Sequence, residues 1–187
     1  MSAPPVPGIS VEEYLAADRV AEVKSEYHDG EVFPVADASL QHARILVNVA
    51  WRVSERLESS PCQALGPTRV RVSPTKFVYP DLLVVCGEPE LTDEHQDTLT
   101  NPKVIVEILS PSTAGDDSGE KFRLYRRLPS FEEYALIAQD EPRVEVFHRN
   151  PEGTWLLTTH EGLDATFPLD SLGITLPLAE IYDRVGF

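Results

Sequence analysis

Two acidic side chains occupy apolar runs that resemble buried strands. Glu107 lies within KVIVEILS, residues 103–110, and Asp81 opens the run LLVVC that follows Tyr79 and Pro80. An unpaired buried carboxylate is costly, so each acid needs a proton, a cationic partner or a metal ion. If the two strands are neighbours, the carboxylates come close and repel each other unless a proton or metal lies between them. The pair therefore indicates a candidate metal site.

A structural alternative exists for both acids. Because side chains alternate along a strand, Glu107 shares its face with Ile105 and Leu109. It could be neutralised by an arginine, and Asp81 could simply cap a turn. The candidate arginines are Arg69, Arg71 and Arg123. The presence of two acids on successive apolar strands weighs against this alternative.

Lys121 is a third candidate. It follows Glu107 by 14 residues, in the first turn of a predicted helix that returns after a loop. From there its ammonium could point toward the carboxylates and orient an attacking water, while bound Mg²⁺ stabilises charge on a phosphate. The alternative is a solvated lysine on a charged helix face.

His42 lies on the apolar face of the longest predicted helix. Imidazole suits proton transfer near neutral pH, which makes His42 a secondary catalytic candidate. On such a face, however, a histidine is more often a core or rim residue. The remaining histidines lack ligand spacing and are predicted to lie on the surface: His28, His95, His148 and His160.

The elements that must position these residues can be predicted from local patterns. Ser10 and Glu13 form the signature of a helix start, and Asp29-Gly30 indicates a hairpin. Apolar periodicity predicts a helix from Ser39 to about Ser59, and a second one spans roughly 118–128. Short Val-, Ile- and Leu-rich runs lie between and after them. The pattern predicts an α/β domain, bordering on α+β, with a mixed sheet flanked by helices.

Size and composition favour one ordinary domain. The chain has 187 residues, of which 42% are hydrophobic. We predict a flexible arm over residues 1–8 and a single domain over 9–187. No membrane span or secretory signal is apparent, which predicts a cytoplasmic protein without a membrane partner. Cys62 and Cys86 lack metal-type spacing and are interpreted as reduced core residues without chemistry.

The net charge opposes one class of partner. A formal charge of −15 disfavours non-specific attraction to nucleic acid, since phosphate binding depends on basic side chains. A local basic groove remains compatible with that charge, and basic residues cluster at Arg69 and Arg71 and again within 121–127.

Several segments together resemble one protein family. SEYHDGEV, SLQHARI, YPDLLVV, LTNPKVIVEILSPST, SGEKFRLYRRLPSFEEYALI and LGITLPLAEIYDRV are similar to the Uma-two family of restriction-endonuclease-like proteins. The resemblance runs from about Ile9 to Val185, so it is more specific than any single motif. It implies the PD-(D/E)xK nuclease fold, a restriction-endonuclease-like mixed β-sheet flanked by helices, whose members cut phosphodiester bonds with a divalent metal.

The resemblance also assigns roles to particular positions. Asp81 would be the motif aspartate and Glu107 the motif acid, both metal ligands, and Glu26 would be a further carboxylate at the metal. The motif lysine normally follows two residues after the acid, where this sequence has Leu109. Lys121 would then replace it from the following helix.

The sequence thus predicts a Mg²⁺- or Mn²⁺-dependent endonuclease acting on DNA, with catalysis carried by Glu26, Asp81, Glu107 and Lys121. Because a cutter of both strands would work as a pair, a homodimer is also predicted. One alternative is an inactive nuclease-fold domain that binds nucleic acid or a protein. Another is a metal-independent carboxylate hydrolase such as a glycosidase.

Overall fold

The computed structural model describes residues 8–35, 38–109 and 117–187. Residues 1–7 of the predicted arm lie outside this range. The described residues form a five-stranded sheet, a six-stranded sheet and a two-stranded hairpin, with a few helices packed against them. Mixed sheets with few helices agree with the predicted fold. None of the helices in the described ranges is long and apolar enough to cross a membrane.

The five-stranded sheet holds the first predicted site residue, Glu26. Its strands lie in the order β2-β1-β5-β4-β7. Their bounds are β1 Ser25–His28, β2 Glu31–Pro34, β4 Arg69–Ser73, β5 Lys76–Val78 and β7 Thr98–Leu99. Helix α1, Val11–Val20, packs on this sheet through Tyr14, which stacks on Tyr27 and contacts Phe77.

Two local predictions in this region are confirmed. Ser10 caps α1, and the Glu13 side chain accepts a hydrogen bond from the Ser10 amide, which completes a capping box. Between β1 and β2, Asp29 and Gly30 have φ values of 51° and 102°. Positive φ at both central residues is what a tight hairpin turn matched to strand twist requires.

The six-stranded sheet carries Glu107 at its centre. Its order is β11-β10-β9-β8-β6-β3, and within it β8 and β9 pair in parallel while the other neighbours are antiparallel. The sheet is therefore mixed, as predicted. Its strands are β3 Cys62–Leu65, β6 Leu82–Cys86, β8 Val104–Leu109, β9 Glu133–Ala138, β10 Arg143–Arg149 and β11 Trp155–Glu161.

Both faces of this sheet are covered. Val104, Val106 and Ile108 of β8 face helix α2, Leu40–Arg56, which buries an apolar stripe along that side. Ile105 and Leu109 point to the opposite core. The alternation predicted for β8 is confirmed, and Ser39 caps α2 as expected. The first core also includes β12 Thr166–Leu169, β13 Ile174–Pro177 and the closing helix α4 Leu178–Ile181.

The second predicted helix is shorter than expected. A π-helical turn spans Asp117–Lys121, and regular α-helix α3 covers only Phe122–Tyr125. Pro129 disfavours helical geometry at the residue before it, which limits how far the helix can extend. Lys121 therefore sits at the junction of the π-helical turn and α3.

The interpretation of the cysteines as reduced is wrong. Cys62 on β3 and Cys86 on β6 are bonded as a disulfide. The two residues lie directly opposite each other in the antiparallel register of β3 and β6. The two cysteines are 24 residues apart in the sequence, and this spacing does not indicate that they pair. The pairing depends on the register of β3 and β6 in the folded sheet.

Reduction of this disulfide is expected to lower the stability of the protein. A cross-link between residues 24 apart restricts the unfolded chain and contributes about 3 kcal/mol in the chain-entropy model. Urea unfolding with and without a thiol reductant measures the difference. The Cys62→Ser, Cys86→Ser double variant should unfold at the same urea concentration under both conditions, and a reductant effect that persists in it would contradict this origin.

Candidate metal and catalytic site

Three carboxylates meet where the two large sheets adjoin. Glu26 lies on β1 of the five-stranded sheet, and Glu107 lies on β8 of the six-stranded sheet. Asp81 ends the short connector that begins at Tyr79 and carries the chain from β5 in the first sheet to β6 in the second. The crossing of the chain between sheets therefore brings together acids that are far apart in the sequence.

Asp81 and Glu107 are held against each other by backbone amides. The amide of Asp81 donates to Glu107 Oε2 over 3.3 Å, and the amide of Ile108 donates to Asp81 Oδ2 over 2.8 Å. These bonds follow from the antiparallel pairing of β6 with β8, in which Leu82 lies opposite Val106. Each acid is thus oriented by the backbone next to the other acid.

Lys121 bridges two of the acids. Its Nζ lies 3.3 Å from Glu26 Oε1 and 3.4 Å from Glu107 Oε1. The ammonium therefore offsets part of the repulsion between these carboxylates. The solvated-lysine alternative does not describe this residue.

Tyr125 supports Glu107 from the same helical segment as Lys121. Its hydroxyl donates to Glu107 Oε1 over 2.8 Å. Burial, followed by the negative charge of Glu107, raises the pKa of Tyr125 well above its ordinary value. Tyr125 therefore keeps its proton and acts as a permanent hydrogen-bond donor to Glu107.

Glu26 is largely buried and held in its charged form. Burial by itself would raise its pKa, but the nearby His28 ring, the charge of Lys121 and the amide of Tyr79 outweigh burial and lower it. The Tyr79 amide lies 3.1 Å from Glu26 Oε1, and His28 Nε2 lies 3.6 Å from Oε2. Glu26 is consequently ionised at neutral pH.

His42 contacts the site through Asp81. Its Nε2 lies 3.1 Å from Asp81 Oδ2. Since a carboxylate accepts, Nε2 carries the proton in this bond. His42 Nδ1 is buried and has no partner within the described part of the chain. His42 is therefore placed to orient Asp81.

Comparison with known proteins places these residues in a family. A family model described as "Putative restriction endonuclease", Uma2, matches residues 11–179. The chain belongs to the Uma2 family. Two curated relatives come from Synechocystis sp. The uncharacterized protein sll1609 is 35% identical over 159 residues, covering 84% of this chain and 90% of its own length. The uncharacterized protein slr1290 is 31% identical over 186 residues, covering 98% and 96%.

A solved structure shares the fold. It is a crystal structure from Anabaena variabilis described as a "putative nuclease belonging to DUF820", with a TM-score of 0.77 and 18% identity. The match covers 95% of this chain and 99% of that one. This similarity confirms the predicted restriction-endonuclease-like fold, and the Uma2 match confirms the family.

In the Uma2 chain, a buried network of charged and polar side chains lies beside the carboxylate site. Arg69 donates from Nη2 to Asp18 Oδ2 over 2.9 Å and from Nε to the hydroxyl of Tyr79 over 2.9 Å. Tyr79 in turn donates to Asp18 Oδ2, and Asp18 Oδ1 accepts the amide of Ser25. Arg69 is therefore held within this network, and of the three candidate arginines it is not the partner of Glu107.

This network touches both flanks of the site. Ser25 precedes Glu26 on β1, and Tyr79 begins the connector that ends at Asp81. Asp18 thus ties the start of β1 to the connector, while the Tyr79 amide binds Glu26. The network fixes the position of Glu26 relative to the connector.

Asp97, at the edge of this network, should make the free energy of unfolding depend on pH in the acidic range. A hydrogen bond from Arg19, assisted by Thr98 and by the charge of Arg69, lowers the pKa of Asp97 from 3.8 to about 2. A depressed folded-state pKa contributes stability that is present above pH 3.8 and lost as the pH falls toward 2. The difference in urea midpoint between the unmodified protein and Asp97→Asn should therefore shrink across this interval. Glu94→Gln, at an exposed neighbouring position, should give no such interval-specific change.

The donor set fits a hard divalent cation. Carboxylate oxygens are the ligands that Mg²⁺ and Mn²⁺ prefer. Asp81 Oδ1 makes no hydrogen bond to any described residue, and the Asp81 side chain is 20% exposed. Counted as formal charges, the three carboxylates exceed the single ammonium of Lys121 by two. A divalent cation would neutralise that excess.

The three acids are not arranged as a finished coordination shell. Their ligand atoms do not all lie within 4.8 Å of one another in this structure. Lys121 Nζ instead lies near both Glu26 and Glu107. Binding one ion through all three acids therefore requires side chains to rotate toward it.

A tighter cluster elsewhere has a structural explanation. Within the described ranges, Glu133, His148 and Asp170 offer three ligand atoms within 4.8 Å. The buried Glu133 carboxylate, however, already accepts the amides of Asp170 and Ser171, the Ser171 hydroxyl and a hydrogen bond with His148 Nδ1. Glu133 thereby caps the 3₁₀ turn Asp170–Leu172, and its oxygens are satisfied without an ion.

The structure brings every predicted site residue into one group: Glu26, His42, Asp81, Glu107 and Lys121. Tyr125 was not predicted from the sequence, although its spacing of four residues from Lys121 is typical of a shared helix face. Two of the histidines predicted to lie on the surface are partly exposed and also contact carboxylates: His28 contacts Glu26, and His148 contacts Glu133. The His28 contact is local, because His28 follows Glu26 by two residues on β1, whereas the His148 contact depends on the pairing of β10 with β9.

Proposed function

We propose that this chain is a metal-dependent endonuclease that hydrolyses phosphodiester bonds, most directly in DNA. The observation that carries the proposal is the convergence of Glu26, Asp81, Glu107 and Lys121, from two sheets and a helical turn, into one partly buried group. Membership of a family described as "Putative restriction endonuclease" supports the same reaction class.

The residues divide into ligands and supporting groups. Glu26, Asp81 and Glu107 would hold Mg²⁺ or Mn²⁺, which would supply Lewis-acid stabilisation of charge on a phosphate oxygen and a more acidic bound water. His42 and the Ile108 amide orient Asp81. Tyr125 orients Glu107 and keeps its proton while doing so.

Lys121 is proposed to replace the lysine that the family motif places two residues after the acid. Leu109 occupies that position and is buried in the apolar core. Lys121 Nζ reaches Glu107 from the helical segment instead. A cation at this place can orient the attacking water or offset the charge that develops on the phosphate.

The first test is thermal melting with and without Mn²⁺. A cation that binds only the folded protein stabilises it by about 2.7 kcal/mol at a concentration one hundred times its dissociation constant. We expect a rise in melting temperature that Asp81→Asn and Glu107→Gln each remove. Glu58→Gln changes an exposed acid two residues beyond the end of α2; it is the matched control and should keep the rise.

The absence of any Mn²⁺ effect in the unmodified protein would count against a metal site in the free protein. Cleavage of linear and supercoiled DNA with Mn²⁺ is then the deciding measurement. If neither DNA form is cut, the proposed activity is wrong.

A second candidate is an inactive nuclease-fold domain that binds nucleic acid or a protein partner. The displaced lysine and the net charge of −15 favour it. Lys121→Ala separates the two candidates. Loss of metal-dependent cleavage in this variant, with an unchanged Mn²⁺-induced melting shift, supports catalysis by Lys121 and argues against an inactive domain.

A further inference from the structure

β11 is an unprotected edge of the six-stranded sheet. It is the outermost strand and pairs on one side only, with β10, over all seven residues without a register shift. An edge strand presents unpaired backbone donors and acceptors along its free side, which is a template for another strand. Proteins usually protect such edges with lysine, proline, bulges or short length.

β11 has none of these protections. Its sequence, WLLTTHE, contains no lysine, arginine, proline or glycine and a single acid at its end. The other described edge strands differ. β7 has two residues, β3 has four, and β2 has four and ends at Pro34. β12 and β13, which form the two-stranded sheet, have four residues each and include Pro168 and Pro177. Among the described strands, the long unprotected edge is therefore confined to β11.

Two exposed leucines add an apolar surface to this edge. Leu156 is 54% exposed and Leu157 is 48% exposed. As adjacent residues of a strand, they point to opposite faces of the sheet. A strand paired beside β11 would have side chains on both faces of the sheet and would therefore contact both leucines.

We propose that β11 pairs antiparallel with β11 of a second copy of this chain, around a twofold axis at Thr158. The two six-stranded sheets would then form one continuous sheet. In this register Leu157 lies opposite Thr159 of the other copy, and Leu156 lies opposite its His160. Thr158 lies opposite itself.

A second copy fits this edge for two reasons. An antiparallel strand pair about a twofold axis is self-complementary, so the same patch serves both subunits. In addition, each chain carries a formal charge of −15, so two copies repel over most of their surfaces. β11 has one carboxylate in its seven residues, so pairing along this strand brings few like charges together.

The primary experiment measures mass by light scattering across protein concentration. We expect a dimer in the unmodified protein and a monomer in the Leu156→Lys, Leu157→Lys double variant, because two lysines per strand protect the edge and repel across the axis. Added salt should strengthen dimerisation by screening the acidic chains. Leu163→Lys is the matched control, since Leu163 is equally exposed but lies beyond β11.

The register is tested with single cysteines. Thr158→Cys places two thiols opposite each other at the axis, where they should form an intermolecular disulfide on oxidation. Glu161→Cys is the control. Its own copy lies about 20 Å away in this register, and it should not cross-link. The native Cys62 and Cys86 are already paired with each other, so each variant has one new thiol.

Three results would overturn the proposal. They are a monomer mass at all concentrations, a dimer that survives the double lysine substitution, and cross-linking at Glu161 in place of Thr158. None of these measurements involves metal or DNA, so they do not depend on the proposed nuclease activity.

Discussion

Asp81→Asn should abolish metal-dependent cleavage of DNA while leaving the fold intact. The substitution removes one of the negative charges that would hold the cation, at an acid whose Oδ1 makes no hydrogen bond to any described residue. It keeps a side-chain oxygen that can accept the Ile108 amide, so β6 and β8 remain joined. Loss of a preorganised electrostatic group costs on the order of 100- to 1000-fold in rate, and the loss of a ligand should reach at least that.

Two measurements make this prediction specific. Initial cleavage rates over a range of Mn²⁺ concentrations show whether excess metal restores the variant, and circular dichroism shows whether it is folded. Asp164→Asn changes the same side chain at an exposed position and should cut at the unmodified rate. Full activity in Asp81→Asn would remove Asp81 from the site and with it the proposed set of ligands.

Arg69→Ala is expected to cause the largest loss of stability among single substitutions in the Asp18 network. Arg69 and Asp18 have side chains only 4% and 1% exposed, and they are paired over 2.9 Å. Removal of one partner leaves a buried carboxylate without its counter-charge, which costs roughly 3–5 kcal/mol. Urea unfolding of the folded variant at neutral pH measures this loss.

Controls separate the lost ion pair from lost packing. Arg71→Ala changes an exposed arginine two residues away on the same strand and should alter stability by less than about 0.5 kcal/mol. Arg69→Met combined with Asp18→Leu removes both charges and should recover part of the loss, because an apolar pair can replace a buried ion pair. The recovery is partial because the Tyr79 hydroxyl and the Ser25 amide lose Asp18 as a partner. If the double substitution is as unstable as Arg69→Ala, the unpaired charge is not the cause.

Local interactions explain why several elements could be predicted from the sequence. Ser10 with Glu13 and Ser39 satisfy helix-end amides within three residues, and Asp29-Gly30 supplies two positive φ values within a single turn. β8 could be predicted as a buried strand because its residues are apolar with the single exception of Glu107. The candidate acids followed from the cost of burying charge, which does not depend on knowing the partner.

Contacts between distant residues could not be derived in the same way. Cys62 bonds Cys86 because β3 and β6 pair in one particular register, and a shift of one residue would have separated the thiols. His148 contacts Glu133 because the two residues lie opposite each other where β10 pairs with β9. Sheet register depends on many contacts at once, and short sequence patterns do not encode it.

The sequence by itself determined which residues must be neutralised if buried, and so pointed to Asp81 and Glu107. It also determined most element types, because capping, turn geometry and periodicity act over a few residues. Only the tertiary structure decided that Lys121 and Tyr125, rather than Arg69, contact Glu107, and that His42 supports Asp81. The physical reason is that a charge specifies its need for a partner, whereas the strand order and the crossing between sheets select which partner is within reach.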